Sequence, residues 1–108
     1  MNWIIEYKTE AENDLKDFDR SQQIQILKAI RKVSVNPLPQ SEGGFGKPLG
    51  NKGNTNLTGY FKIKLLSLGL RVVYGLVRQR NAMKIIVISI RDDEIVYKMA
   101  ADRISEEN

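Results

Sequence analysis

The sequence predicts a small single domain of the α+β class, in which an N-terminal strand and two helices pack on an antiparallel-rich twisted β-sheet and a C-terminal helix follows. The length of 108 residues fits one domain, residues 1–108. Apolar residues recur with helical spacing in the first third of the chain, and an aspartate that can cap a final helix follows the last apolar run. Between them, residues 58–90 contain three apolar runs joined by short turns, which indicates antiparallel neighbours.

The chain begins with a predicted strand and a short helix. Residues 2–7 are mostly β-branched or aromatic, which favours a strand. Residues 10–18 have apolar residues at helical spacing. Thr9 and Glu12 match the capping-box pattern, so Thr9 is the expected cap of this helix.

A longer amphipathic helix over residues 21–35 follows, with Asp19 or Ser21 as its expected N-cap. Prolines stop it shortly afterwards. Residues 40–56 contain five of the eight glycines, so we expect a long exposed loop with at most a short strand at 46–50. Such a long loop in so small a domain is more often functional or mobile than inert.

The second half is predicted to be a three-stranded hairpin array and a final helix. The last strand is apolar on both faces, so we place it centrally in the sheet. Asp92 or Asp93 can cap the final helix, at about residues 93–104. The three strands are expected at 58–66, 70–78 and 83–90. Regular alternation gives Arg91, at the end of the last strand, the same side as Met83, Ile85, Val87 and Ser89.

Composition excludes several chemistries. The chain has no cysteine and no histidine, which excludes disulfides, thiolate metal sites, a cysteine nucleophile and the Ser-His-Asp triad. Any catalysis must use Lys, Arg, Tyr or carboxylates, and we expect no cofactor and no metal. No apolar run approaches the roughly 18 to 20 residues that span a membrane. Glu6, Glu10 and Glu12 stand where a signal peptide would be basic and apolar, so a cytoplasmic protein is expected.

Positive charge is concentrated in the middle of the chain. From Gly43 to Arg91 there is no Asp or Glu but nine Lys or Arg residues. The other eight basic residues share the rest of the chain with all 13 acidic ones, which leaves a net charge of −5 there. A cationic block of this kind indicates a polyanionic partner, most often nucleic acid. The alternative is a solvated basic face that aids solubility.

The middle hairpin contains a conflict between local rules. A four-residue loop would place Lys64 opposite Arg71, and like charges directly opposite each other destabilise a sheet. Such conflicts are expected mainly at functional sites, although these cations could instead extend from an exposed face into water. Period-two alternation puts Phe61, Ile63 and Leu65 toward the core, Tyr60, Lys62 and Lys64 on the other face, and Leu65 opposite Leu70.

These residues resemble the signature of the RelE-family toxins of type II toxin–antitoxin systems. The matching segments are Tyr60-Phe61-Lys62-Ile63-Lys64-Leu65, Gly69-Leu70-Arg71-Val72-Val73-Tyr74, Val87-Ile88-Ser89-Ile90-Arg91 and Val96-Tyr97. The order of predicted elements is also similar to the RelE-like fold over nearly the whole chain. The resemblance implies a ribosome-dependent endoribonuclease that cuts messenger RNA in the ribosomal A site and is blocked by a cognate antitoxin.

The resemblance also implies a role for each candidate catalytic residue. Lys64 would be the general base on the ribose 2′-hydroxyl, and Arg91 the general acid for the leaving 5′-oxygen. Lys62 and Arg71 would stabilise charge on the phosphate, and Tyr97 would orient or stack the substrate nucleotide. A lysine base also fits the composition, because the chain has no histidine to take the proton.

The sequence departs from the family pattern at two places. The family often has an arginine in the loop before the hairpin, where this chain offers only Lys47 and Lys52. A Gly-Lys pair often precedes the arginine equated with Arg91, whereas Ser89-Ile90 precedes it here. We expect Lys47, Lys52 and Arg78 to contribute to substrate binding.

Two other functions stay open at this stage. The first is a non-nuclease toxin similar to the ParE toxins, which bind and inhibit DNA gyrase. The second is a nucleic-acid-binding module without catalysis. The partners expected for the nuclease are the ribosome, messenger RNA and an antitoxin in a hetero-oligomer, with no membrane.

Overall fold

The computed structural model describes residues 2–52 and 55–106, without the side chains of residues 51, 52 and 55. Five strands form one sheet in the order β1-β5-β4-β3-β2. β1 runs parallel to β5, and the other neighbours are antiparallel, so the sheet is mixed and antiparallel-rich. The strands are β1 (Ile4–Tyr7), β2 (Lys47–Lys52), β3 (Thr55–Leu65), β4 (Leu70–Val77) and β5 (Ala82–Ser89). The α-helices are α1 (Thr9–Lys16), α2 (Arg20–Ser34) and α3 (Asp93–Ser105).

The helices cover the two faces of the sheet unequally. Ala11 of α1 and Ile26 and Ile30 of α2 pack with Val72 and Tyr74 on one face. On the other face α3 packs alone, and its three buried residues lie against the middle of the sheet; they are Val96, Tyr97 and Ala100. The predicted α+β class is confirmed. β5 lies inside the sheet between β1 and β4, as its two apolar faces require, but the central strand is β4. In residues 2–52 and 55–106, no helix is long and apolar enough to span a membrane.

Helix capping follows the sequence prediction at two of the three helices. Asp19 caps α2 through a capping box with Gln22, and Asp92 caps α3 by accepting from the amide of Ile95. The prediction for α1 is wrong. Its N-cap is Lys8, whose side chain makes no capping bond, and Thr9 is already the first helical residue. The chain leaves β1 and enters α1 one residue earlier than the capping pattern indicates.

The predicted long loop at 40–56 is largely structured. A short 3₁₀ helix spans Gln40–Glu42, and β2 extends the strand expected at 46–50 as far as Lys52. The reason is tertiary: β2 pairs with β3, and Leu49 is buried in the same cluster as Leu57. Backbone pairing with a distant strand outweighs the high glycine content of this segment.

One buried hydrogen bond joins the sheet to the segment after α2. The Tyr74 hydroxyl donates to the carbonyl of Pro37 at 2.9 Å, and burial raises the pKa of Tyr74 above its ordinary value. This hydrogen bond holds the segment that connects α2 to β2 against β4. The segment can therefore lead directly into β2 at the edge of the sheet.

Replacing Tyr74 by phenylalanine is expected to lower the free energy of unfolding by about 1 to 2 kcal/mol, because the buried Pro37 carbonyl would lose its donor. Urea unfolding measures the change. Tyr7→Phe is the matched control, since the Tyr7 hydroxyl has no hydrogen bond within residues 2–52 and 55–106 and its removal should cost under about 0.5 kcal/mol. Equal effects of the two variants would contradict a stabilising role for the Tyr74–Pro37 bond.

Candidate active site

The hairpin of β3 and β4 forms the centre of the candidate site. Lys64 pairs directly with Arg71, and Leu65 pairs with Leu70, so the predicted register is confirmed. Phe61, Ile63 and Leu65 pack in the core on the face of α1 and α2, as predicted. Alternation therefore places Lys62, Lys64 and Arg71 on the opposite face, beside α3.

A fourth cation joins this face from the neighbouring strand. Lys47, at the start of β2, is the direct partner of Lys62 on β3. Lys47 is exposed to solvent. Directly paired residues of antiparallel strands have side chains on the same face and Cα atoms about 4.5 to 5.5 Å apart. We call Lys47, Lys62, Lys64 and Arg71 the cationic face.

Helix α3 supplies the groups that contact the cationic face. The Lys62 ammonium donates to the Tyr97 hydroxyl at 3.3 Å. Tyr97 is a buried residue, only 6% exposed, and it packs with Val73 and Val87. The structure thus places Tyr97 as a buried partner of Lys62, with little ring surface on which a nucleotide could stack.

An acidic residue pairs the opposed cations Lys64 and Arg71. Asp93, at the start of α3, forms an ion pair with the Arg71 Nε through Oδ1, and its Oδ2 lies 3.9 Å from the Lys64 Nζ. The cationic block of the sequence contains no acid, so this counter-charge comes from outside it. It relieves the like-charge conflict that the sequence predicts between the two strands.

Arg91 lies beyond the end of β5 and is exposed. Its backbone carbonyl accepts a hydrogen bond from Arg71 Nη1 at 3.1 Å, and its amide donates to the Ser89 hydroxyl. Its guanidinium makes no hydrogen bond or ion pair within the described part of the chain. The structure therefore brings the Arg91 backbone to the cationic face and leaves its side chain in solvent.

The predicted regular alternation leading to Arg91 is wrong. β5 contains a bulge at Ile86, because Tyr74 pairs with Ile85 while Val73 pairs with Val87. Met83 and Ile85 consequently face α1 and α2, whereas Val87 faces α3. No glycine marks this bulge in the sequence.

Two of the predicted substrate-binding residues lie elsewhere. Arg78 follows β4, seven residues from Arg71, which corresponds to about 23 Å along a strand. It forms a bidentate ion pair with Glu42, whose pKa it holds below the ordinary value. Lys52 pairs with Thr55 at the far end of the β2–β3 hairpin, and its side chain lies outside the described residues.

The network that fixes α3 was not visible in the sequence. The Asp14 carboxylate of α1 accepts from Arg103 of α3 and from the backbone amide of Ile88, and Arg103 also donates to the Ile86 carbonyl. β1 ends at Tyr7, opposite Ile85 of β5. Beyond that point, the side chains of Asp14 and Arg103 form hydrogen bonds with the backbone of β5. Within residues 2–52 and 55–106, no group of acidic residues could hold a metal ion.

Together these elements define a small α+β protein with a mixed five-stranded sheet and a lysine–arginine face beside a C-terminal helix. No protein-family model matches the chain. The chain is 22% identical over 105 residues to a RelE-like toxin protein of Escherichia coli. The alignment covers 96% of this chain and 99% of the E. coli protein.

Solved structures identify the fold more specifically. A mutant of the E. coli toxin RelE in the free state superposes with a TM-score of 0.73 at 21% identity and covers 96% of this chain and 99% of that one. The toxin–antitoxin complex RelBE of Mycobacterium tuberculosis gives a TM-score of 0.66 at 21% identity, with 86% and 95% covered. The chain has the fold of the RelE toxins, and the resemblance seen in its sequence is confirmed.

Proposed function

We propose that this chain is the toxin of a type II toxin–antitoxin system and a ribosome-dependent, metal-independent endoribonuclease. The observation that carries the proposal is the juxtaposition of Lys62, Lys64 and Arg71 on one face of the β3–β4 hairpin. The likeness to RelE toxins supports it. Residues 1–108 act as one RelE-like domain in this proposal.

The cationic face fits RNA cleavage by the substrate's own 2′-hydroxyl. The 2′-oxygen attacks the adjacent phosphorus, the P–O5′ bond breaks, and a 2′,3′-cyclic phosphate and a free 5′-hydroxyl result. Lys64 takes the 2′ proton as the general base, while Lys62 and Arg71 stabilise negative charge on the phosphate. The leaving 5′-oxygen takes its proton from water. Arg91 interacts with this oxygen mainly by its charge, because a guanidinium holds its protons too tightly to donate them readily.

Dependence on the ribosome follows from what the site lacks. The Tyr97 ring is packed against the sheet, and Arg78 is engaged with Glu42 far from Lys64. The side chains that the structure describes therefore offer little to hold a nucleotide in an in-line geometry. Messenger RNA held in the ribosomal A site is oriented by the ribosome, so a few cations suffice to promote its cleavage.

A cognate antitoxin is the expected protein partner in the cytoplasm. Solved relatives include RelBE complexes from E. coli and M. tuberculosis and a RelE–RelB complex from Pyrococcus horikoshii. By the same relationship, we propose that an antitoxin binds this chain in a hetero-oligomer and blocks its activity. Coexpression of that antitoxin should restore growth.

The proposal is tested by inducing the chain in bacteria and mapping the 5′ ends of one messenger RNA in translated and untranslated copies. We expect new ends only in translated copies, and their loss in Lys64→Ala and in Arg71→Ala. Lys28→Ala is the matched control, because Lys28 is exposed on α2, which packs on the opposite face of the sheet.

Each alternative gives a different result. Growth arrest with intact messenger RNA would reject the nuclease and indicate another target, such as the gyrase inhibited by ParE toxins. RNA binding without arrest or cleavage would leave only a nucleic-acid-binding module. Cleavage of free RNA at a comparable rate would contradict the dependence on the ribosome.

A further inference from the structure

Asp93 differs from its acidic neighbours in what its carboxylate contacts. Asp92 caps α3, and Glu94 is exposed and has no ion pair or hydrogen bond in the part of the chain that the structure describes. Asp93 instead reaches from α3 to the hairpin and pairs with Arg71 and Lys64. An acid in the first turn of a helix is favourable by itself, but that effect applies equally to Glu94. The contact with the hairpin is specific to Asp93.

The geometry of this contact matches the way two cations hold a phosphate. One carboxylate oxygen faces the Arg71 Nε, and the other faces the Lys64 ammonium at 3.9 Å. A phosphodiester likewise presents two non-bridging oxygens, which arginine and lysine bind by charge-assisted hydrogen bonds. The Asp93 carboxylate thus lies where a phosphate would bridge these two side chains.

We propose that Asp93 is a built-in counter-ion that occupies the phosphate position of the cationic face and must be displaced when RNA binds. This inference rests on the proposed function only in naming RNA as the ligand. The three side chains are 26% to 38% exposed, whereas the Arg71 Nε and the Asp93 Oδ1 that face each other are buried. A competing anion therefore reaches the Arg71 Nε once the Asp93 carboxylate moves aside. In the free protein Asp93 weakens binding of single-stranded RNA to Lys64 and Arg71 and so limits cleavage of the wrong RNA.

Binding of a non-cleavable RNA tests the counter-ion directly. The probe is a 2′-O-methylated single-stranded oligonucleotide, and its affinity for the full chain is measured by fluorescence anisotropy over a range of salt concentrations. We expect Asp93→Asn to bind about fivefold more tightly at low salt. We also expect log Kd to depend on log salt more steeply by about 1.4, because two cations become free to contact phosphates and each contact on a single strand adds about 0.7.

Glu94→Gln is the matched control, since it removes the same charge one residue away in the same turn of α3. A general charge effect would change both variants equally, and equal changes would overturn the proposal. Weaker binding by Asp93→Asn would also overturn it, because Asp93 would then hold Arg71 in its binding position. Asp93→Ser serves as a second variant if Asp93→Asn fails to fold, and circular dichroism verifies folding.

A combined variant tests whether the gain in RNA affinity comes from the cations that Asp93 contacts or from the rest of the surface. In Lys64→Ala with Asp93→Asn, most of the gain in affinity should disappear, and retention of the full gain would contradict the proposed contact. The binding result is also independent of the nuclease proposal. Tighter binding without new messenger RNA ends in cells would reject the nuclease alone, whereas new ends without tighter binding would reject the counter-ion alone.

Discussion

Replacing Lys64 by arginine is expected to lower the rate of messenger RNA cleavage by about 10²- to 10⁴-fold, the usual contribution of a general base. Arginine keeps the positive charge and can retain the ion pair with Asp93. It cannot accept a proton at neutral pH, because the guanidinium is already fully protonated. The substitution therefore removes proton transfer and preserves electrostatic attraction to RNA.

The measurement is the single-turnover rate on programmed ribosomes, with RNA affinity determined in parallel. Lys64→Ala should lose both cleavage and part of the affinity, whereas Lys64→Arg should keep the affinity. Lys28→Arg on α2 controls for the exchange of lysine for arginine. Cleavage by Lys64→Arg at close to the wild-type rate would show that Lys64 contributes only charge, and the base would have to be another group.

The second large effect is expected at Asp14, which joins α1, β5 and α3. Its carboxylate binds Arg103 through both oxygens, at 2.6 and 3.1 Å, and accepts from the amide of Ile88. Both charged side chains are only 15% exposed. Asp14→Ala would leave the largely buried Arg103 guanidinium and the Ile88 amide without this partner. We expect a loss of about 2 to 4 kcal/mol in the free energy of unfolding.

Urea unfolding measures this loss, and Asp17→Ala is the control because Asp17 is exposed at the end of the same helix. The control should change stability by less than about 0.5 kcal/mol. A double-mutant cycle with Arg103→Ala should give a coupling energy above about 1 kcal/mol. Additive effects of the two single substitutions would indicate that the ion pair contributes little and that each residue acts through other contacts.

The sequence predicts the elements that depend on local pattern. Alternation along β3 places its apolar residues in the core, and the short connection to β4 puts Lys64 opposite Arg71. The apolar character of β5 on both faces predicts its position inside the sheet. The alternation and the register depend on residues that are close together in the chain. The position of β5 depends on its own sequence, because a strand buried on both faces is apolar at successive positions.

Other features depend on contacts between distant segments. Asp93 lies 22 positions after Arg71 in the sequence, and only the packing of α3 on the sheet brings the two together. Asp92 and Asp93 are equally good cap candidates by pattern, and the structure assigns the cap to the first and the ion pair to the second. In the same way, the pairing of β2 with β3 forms a strand where glycine content favours a loop.

The bulge at Ile86 has a consequence for how β5 can change in length. Removing one residue from a regular strand reverses the facing of every side chain on one side of the deletion. In β5 the extra residue already interrupts the alternation, so deleting Ile86 would restore a regular ladder with Ile85 and Val87 still on their present faces. At this position β5 can therefore lose one residue while Ser89 and the backbone of Arg91 still reach Arg71.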